Sequence, residues 1–183
     1  PGVVVYGLVD HHELRNVAPA RWLRTLARYS RRGHVDAPYA TLDPDGGLIR
    51  HEPERYLELP ARQRLATSAF VERTLMDRRT RDRAAQAPRV MEALLPRLDE
   101  LCREHGTSLV VAVLRAKPAE RQRYLDFLGE HGITTVDCVV PRTPELRVPG
   151  EGHPSGLANS QWHDALTPVL TQRGGGERIS DPP

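Results

Sequence analysis

Lysine is almost missing from this 183-residue chain: Lys117 stands alone among 26 basic residues. The arginines that fill its place do not gather into one stripe. They scatter along helical faces beside acids, 26 Lys and Arg against 24 Asp and Glu, and leave a formal net charge of only +2. A nucleic-acid partner calls for a concentrated positive surface, so the composition argues against DNA or RNA. Cysteine is equally scarce. Cys102 and Cys138 are isolated, lack the paired spacing of a metal site, and read as small buried apolar groups rather than a disulfide or redox centre. Aromatic residues make up 5% of the chain, so the core must be built mostly from Leu, Val and Ala. No apolar run approaches the roughly 18 residues that a membrane span needs, and no signal peptide heads the sequence. The chain opens on Pro1, with an apolar run almost immediately behind it. A domain that opens inside a buried-type strand is expected to have further polypeptide upstream.

What is present is a hydrophobic fraction of 39%, sufficient for a packed domain of ordinary size. Three apolar runs read as strands covered on both faces: "VVVYGLV" (3–9), "SLVVAVL" (108–114) and "ITTVDCV" (133–139). Between the last two, "PAERQRYLDFLGEH" (118–131) opens on a helix-start proline and places Tyr124, Leu125 and Leu128 on one side. Ahead of them, 82–105 carries Ala87, Val90, Leu94, Leu95, Leu98 and Leu101 at helical spacing, with Pro88 and Pro96 expected to kink or split it. Helix, strand, helix, strand with short turns predicts an α/β fold: a three-layer, flavodoxin-like parallel sheet flanked by helices, incomplete at its N-terminus. Residues 16–81 interrupt the rhythm. They contain an amphipathic helix over 19–32 with Trp22, Leu23, Leu26 and Tyr29 inward. A long Gly-, Pro- and Asp-rich stretch over 33–60 follows, which reads as an irregular binding loop, and helix resumes over 61–79. The domain is expected to run over 1–171 with 16–81 as an insertion, and the polar tail 172–183 to be mobile.

Open parallel sheets bind ligands beyond the carboxyl ends of their strands, and two charged clusters fall there. "DHHELRN" (10–16) directly follows the first strand; "PGEGHPSG" (149–156) follows the third. In the second cluster Ser155 is placed to cap a helix running to about residue 170, with Leu157, Trp162, Ala165, Leu166, Val169 and Leu170 on its inward face. His153 stands just before that helix, on a loop kept lean by Gly150 and Gly152. An imidazole titrates near neutral pH and suits proton transfer; the plainer alternative is a surface histidine beside a cap. In the first cluster Asp10, His11, His12 and Glu13 are all metal-ligand types. Neighbours in an extended chain point to opposite sides, and the wider ligand set of a structural zinc is missing, so no metal and no cofactor is implied.

"VVVYGLVDHHELRN" followed far downstream by "GEGHPSGLANSQWHDAL" resembles the third and last blocks of the SGNH, or GDSL-like, hydrolase family. The resemblance covers residues 1 to about 171. It implies serine-dependent ester hydrolysis or acyl transfer, on a small-molecule or glycan ester such as an acylated carbohydrate or lipid. His153 falls on the family's catalytic histidine, which takes the proton of a serine hydroxyl and returns it to the leaving alcohol.

The chain also departs from the family. No Gly-Asp-Ser nucleophile block exists: Ser30, Ser68, Ser108, Ser155, Ser160 and Ser180 all lie in other contexts, and no second-block glycine is matched. Position 150 is glycine where the family places the aspartate that orients the histidine; Glu151, one residue closer, has the longer side chain to substitute. The oxyanion-binding asparagine of block three falls on Val9, which leaves Asp10 and His11 as the nearest polar candidates for the oxyanion or substrate. An ionised Asp10 would repel the developing charge. The expected nucleophile therefore lies upstream of Pro1, and the chain alone is expected to be inactive. The expected site is His153 and the Asp10–His11 turn converging on one pocket. Two further readings remain beside the hydrolase: an SGNH-like domain that binds a glycan or acyl group without turnover, and an unrelated flavodoxin-like binding domain.

Overall fold

The protein's structure, a computed structural model, describes residues 2–29 and 36–174. In chain order the elements are β1 (Val3–Val9), α1 (His12–Val17), α2 (Ala20–Tyr29), β2 (Ala37–Leu42), β3 (Leu48–Glu54), α3 (Ala66–Ala85), α4 (Ala87–Glu104), β4 (Ser108–Arg115), α5 (Pro118–Glu130), β5 (Thr134–Asp137), a 3₁₀ turn at Pro144–Leu146, and α6 (Gly156–Gly174). The fold is α/β. The chain divides into two compact units, one holding Pro1–Asp10 and Pro96–Pro183, the other His11–Leu95.

The first unit is a parallel sheet in the order β1-β4-β5. Val5 lies beside Val110 and Gly7 beside Ala112; Val110 lies beside Thr134 and Ala112 beside Val136. Val110 and Ala112 face α6, packing with Val136 and Cys138 against Trp162, Ala165, Leu166, Val169 and Leu170. Leu109, Val111 and Val113 point to the opposite face and are buried as well. Cover on both faces explains why β4 reads as an unbroken apolar run, and each fully buried Val or Leu contributes about 1.5–3 kcal/mol. α5 lies along β4 and β5 and buries Tyr124 and Leu128 completely. β1 is the edge strand: among the described residues it has β4 on one side and no strand on the other, and Val4 and Val5 are partly exposed. Burial pushes the Cys138 thiol above its usual range, and the neighbouring Asp137 charge adds to it. Both cysteines are free and buried.

The second unit corrects the sequence expectation most. Residues 33–60 do not form one irregular segment. β2 and β3 pair antiparallel within it, Tyr39 opposite His51 and Thr41 opposite Ile49. Their turn closes through Asp43, whose N–H donates to the Gly47 carbonyl (2.9 Å) and whose Oδ1 accepts from the Gly47 N–H (2.7 Å), with Gly46 in the left-handed region at φ +88°. Pro38 and Pro53 obscure the strands in the sequence, but a two-stranded sheet has an outer edge on each strand that tolerates proline. The turn "DPDGG" is the signal that was available. Residues 12–17 are also helical rather than an extended charged loop, because the chain turns into α1 directly after Asp10. α2 and α3 are tied together where the Ala20 N–H donates to Thr80 Oγ1 (2.9 Å), and Leu23, Tyr56 and Met76 fill the core beside them.

Smaller differences have local causes. Gln86 separates α3 from α4, so Pro88 sits in the first turn of a new helix and Pro96 is carried inside it. β5 is shorter than 133–139. Leu157 and Leu101, expected inward, are 52% and 43% exposed, because each lies at a helix end. Helix α6 runs on to Gly174, and the rest of the tail, 175–183, lies outside the described residues, as do residues 30–32 of the expected first helix.

Candidate functional site

Parallel strands end on one edge, and in the first unit that edge carries paired charges. The Asp10 N–H donates to the Arg115 carbonyl (2.9 Å), continuing the β1–β4 ladder past a register shift after Leu8. The Asp10 carboxylate accepts from Arg115 Nε at 3.1 Å, with the terminal nitrogen at 3.0 Å. At the end of β5, Asp137 takes Nε of Arg121 at 2.8 Å, and that hydrogen bond and charge hold the Arg121 guanidinium above its ordinary value. Asp10 beside a guanidinium is an acceptor and offers nothing to an oxyanion; the donors at this place belong to Arg115. Arg115 is a functional residue beyond those expected, and its one mark in the sequence is that it closes the apolar run "SLVVAVLR".

His11 is the first residue of the second unit. It precedes α1 in right-handed helical conformation, caps no N–H with its side chain, and meets the His12 ring edge-on at 5.1 Å between centroids. Among the described residues no group of three or more His, Cys, Asp or Glu side chains is placed to hold a metal ion.

The His153 loop is built by its backbone. Arg147 and Pro154 form an isolated antiparallel bridge. Inside it the Val148 N–H donates to the His153 carbonyl (2.8 Å) and the Gly152 N–H donates back to the Val148 carbonyl (3.2 Å); just outside it the Ser155 N–H donates to the Leu146 carbonyl (3.0 Å). Such a loop has to reverse within four residues, and Gly150 (φ +78°) and Gly152 (φ +71°) supply the left-handed conformations. The loop leads into α6 through Ser155, whose hydroxyl donates to the Glu145 carbonyl (2.7 Å) and lies 3.5 Å from the Ala158 N–H. The Glu145 carboxyl is in turn held below its usual range by the Thr143 hydroxyl and by its own backbone amide.

On this frame the Glu151 carboxylate lies 3.4 Å from His153 Nδ1, with 66% and 76% of the two side chains exposed. That is an ion-pair distance, longer than a formed hydrogen bond. It aims a carboxylate at one ring nitrogen and leaves Nε2 to meet a second group. The left-handed backbone at 150 strains any residue with a Cβ, which gives a physical reason for the acid to stand at 151. We expect Gly152→Ala to cost about 1 kcal/mol of stability by forcing the same φ on a residue with a Cβ, measurable as a lowered urea midpoint; an unchanged midpoint would show that the loop can reverse another way.

The described serines with hydrogen-bonded hydroxyls are taken up locally: Ser68 donates to the Pro60 carbonyl, Ser155 to Glu145 and Ser160 to Gly156. No described helix is long and apolar enough to cross a membrane. No protein-family model, curated protein or solved structure matches the chain.

Proposed function

We propose that this chain supplies the general base of a serine-dependent ester hydrolase similar to the SGNH family, acting on an acylated carbohydrate or lipid. One observation carries it: a backbone-braced loop holds His153 with a carboxylate at Nδ1 and Nε2 available. In that role Nε2 takes the proton of an attacking serine hydroxyl as its oxygen bonds to the ester carbonyl carbon. It then returns the proton to the alcohol oxygen as the acyl–oxygen bond breaks. Glu151 steadies the imidazolium between the two transfers. With Ser68, Ser155 and Ser160 bonded elsewhere and Ser108 at the start of β4, the opposite end of the sheet, the attacking hydroxyl is proposed to come from a Gly-Asp-Ser block outside residues 1–183.

Asp10, held by Arg115 beside the Val9 position on which the family's oxyanion-binding asparagine falls, favours a second reading: a site that binds a glycan or acyl group without turnover. Hydrolysis of a short aryl ester by the intact protein separates the two, since the binding-only reading gives no turnover. Glu151→Gln is expected to lower kcat by about 1.4-fold to fivefold with little change in KM. The loss is modest because an exposed ion pair is worth only about 0.2–1 kcal/mol. No change in kcat would return Glu151 to the solvent.

A further inference from the structure

We propose that a polar pocket at the opposite end of the same sheet binds a saccharide through a vicinal diol. The pocket has a volume of about 310 Å³ and is formed where β4 and β5 begin, with Asp99 and Arg103 from α4, Ser108 at the start of β4, His131 and Gly132 from the turn after α5, and Thr134 opening β5. All of these residues belong to the first unit. The site shares no residue with the His153 loop and stands whether or not that loop is catalytic.

Its polar atoms are specific in what they ask for. The Asp99 side chain is only 17% exposed, although its partner Arg103 is 67% exposed, so the acid end of this pair is the sunken one. Arg103 Nε donates to Asp99 Oδ2 at 3.0 Å. Among the described residues Asp99 Oδ1 accepts no hydrogen bond, and the Ser108 hydroxyl has no partner. His131 Nδ1 lies 2.8 Å from the Phe127 carbonyl. A carbonyl only accepts, so this hydrogen bond selects the Nδ1–H tautomer, in which Nε2 is an acceptor. The ring is further fixed against Phe127 at 4.1 Å between centroids. The pocket therefore offers a carboxylate oxygen and an imidazole nitrogen as acceptors, a guanidinium as donor, and a serine hydroxyl that serves as either.

That set discriminates among ligands. A phosphate or carboxylate brings negative charge and meets that of Asp99. A divalent cation wants six or more oxygens and finds a guanidinium beside its one carboxylate. Adjacent hydroxyls on a sugar ring both donate and accept: they give protons to Asp99 Oδ1 and His131 Nε2 and take them from Arg103 and Ser108. The pocket lies at the amino ends of the strands, outside the usual ligand position of a parallel sheet, so it is a contact separate from the carboxyl-end loops.

The test is a titration of the isotopically labelled full chain with glucose, followed by amide shifts, with sorbitol and inorganic phosphate in parallel. Saturable shifts at Ser108, Gly132 and Thr134 are expected with glucose in the millimolar range typical of a few hydrogen bonds, about 1–10 mM. Ser108→Ala removes a hydroxyl that no protein group uses, so the fold stays intact, and binding is expected to weaken about tenfold. Asp99→Ala is expected to weaken it at least as much, because hydrogen bonds to a charged group are the stronger ones. Absence of saturable shifts at about 50 mM glucose, far above that range, overturns the proposal. So does unchanged binding in both variants, or shifts with phosphate that exceed those with glucose. Equal binding of sorbitol overturns the saccharide assignment, because an open-chain polyol carries the diol without the ring.

Discussion

His153→Ala is expected to lower kcat of the intact protein on a short aryl ester by about 10²–10⁴-fold, the range contributed by a positioned general base. The loss should fall on kcat rather than KM, since proton transfer matters only as the transition state forms. Stability should barely move. The side chain is 76% exposed, and the bond that braces the loop uses the His153 carbonyl, which alanine retains. Exposed substitutions of this kind usually stay within about ±0.5 kcal/mol, so an unchanged urea midpoint beside a collapsed rate separates a chemical role from a structural one. The exposure offers a second readout: imidazole added to the variant has open access to the vacated place and is expected to restore part of the rate. Turnover equal to the parent protein would remove His153 from the mechanism and leave the loop as a helix entrance with a solvated ring.

The His153 loop was legible in the sequence because everything that shapes it is local. Two glycines, a proline and a serine within six residues specify a tight reversal and a helix start, and the structure builds the loop from those same residues. The strands of the sheet were legible from their apolar runs: cover on both faces gives the unbroken run of β4, and β1 carries a similar run although Val4 and Val5 stay partly exposed. Two kinds of feature stayed hidden. The β2–β3 hairpin presents polar residues and two prolines, so neither apolar periodicity nor propensity marks it, and only its Asp-Gly turn betrays it. Long-range ion pairs leave no local trace at all. Asp10 and Arg115 are 105 positions apart. The apolar run before Arg115 marks it as the close of a strand, but nothing in its neighbourhood names Asp10 as its partner.

Arg83 makes the same point with a larger energy, and Arg83→Ala is expected to cost about 3–5 kcal/mol, the usual result of breaking a buried pair by removing one partner. The residue is 7% exposed in the last turn of α3, a helix rich in charged residues. Its guanidinium donates to Glu54 at the end of β3, donates to the Ala18 carbonyl at 2.6 Å, and lies 4.0 Å above the Tyr39 ring, which is itself stacked on His51 at 4.5 Å. One side chain thus joins α3, the hairpin and the end of α1. Ala18 sits in the left-handed region at φ 39°, a conformation that costs a residue with a Cβ roughly 1 kcal/mol. The bond from Arg83 is one of the contacts that hold it there. Without Arg83 the Ala18 carbonyl loses its donor and the Glu54 carboxylate, 11% exposed, keeps only Arg79 at 2.9 Å. Against a total stability of about 5–15 kcal/mol, such a loss should be plain in urea unfolding. The double variant Arg83→Met, Glu54→Gln is expected to lose less than the sum of the single losses, because no charge is then left buried without its partner. If Arg83→Ala lowers stability by less than about 1 kcal/mol, or if the two losses simply add, the pair behaves as a surface contact. The hairpin would then be held by the apolar packing of Tyr39, Leu23 and Met76 and not by the charge beneath it.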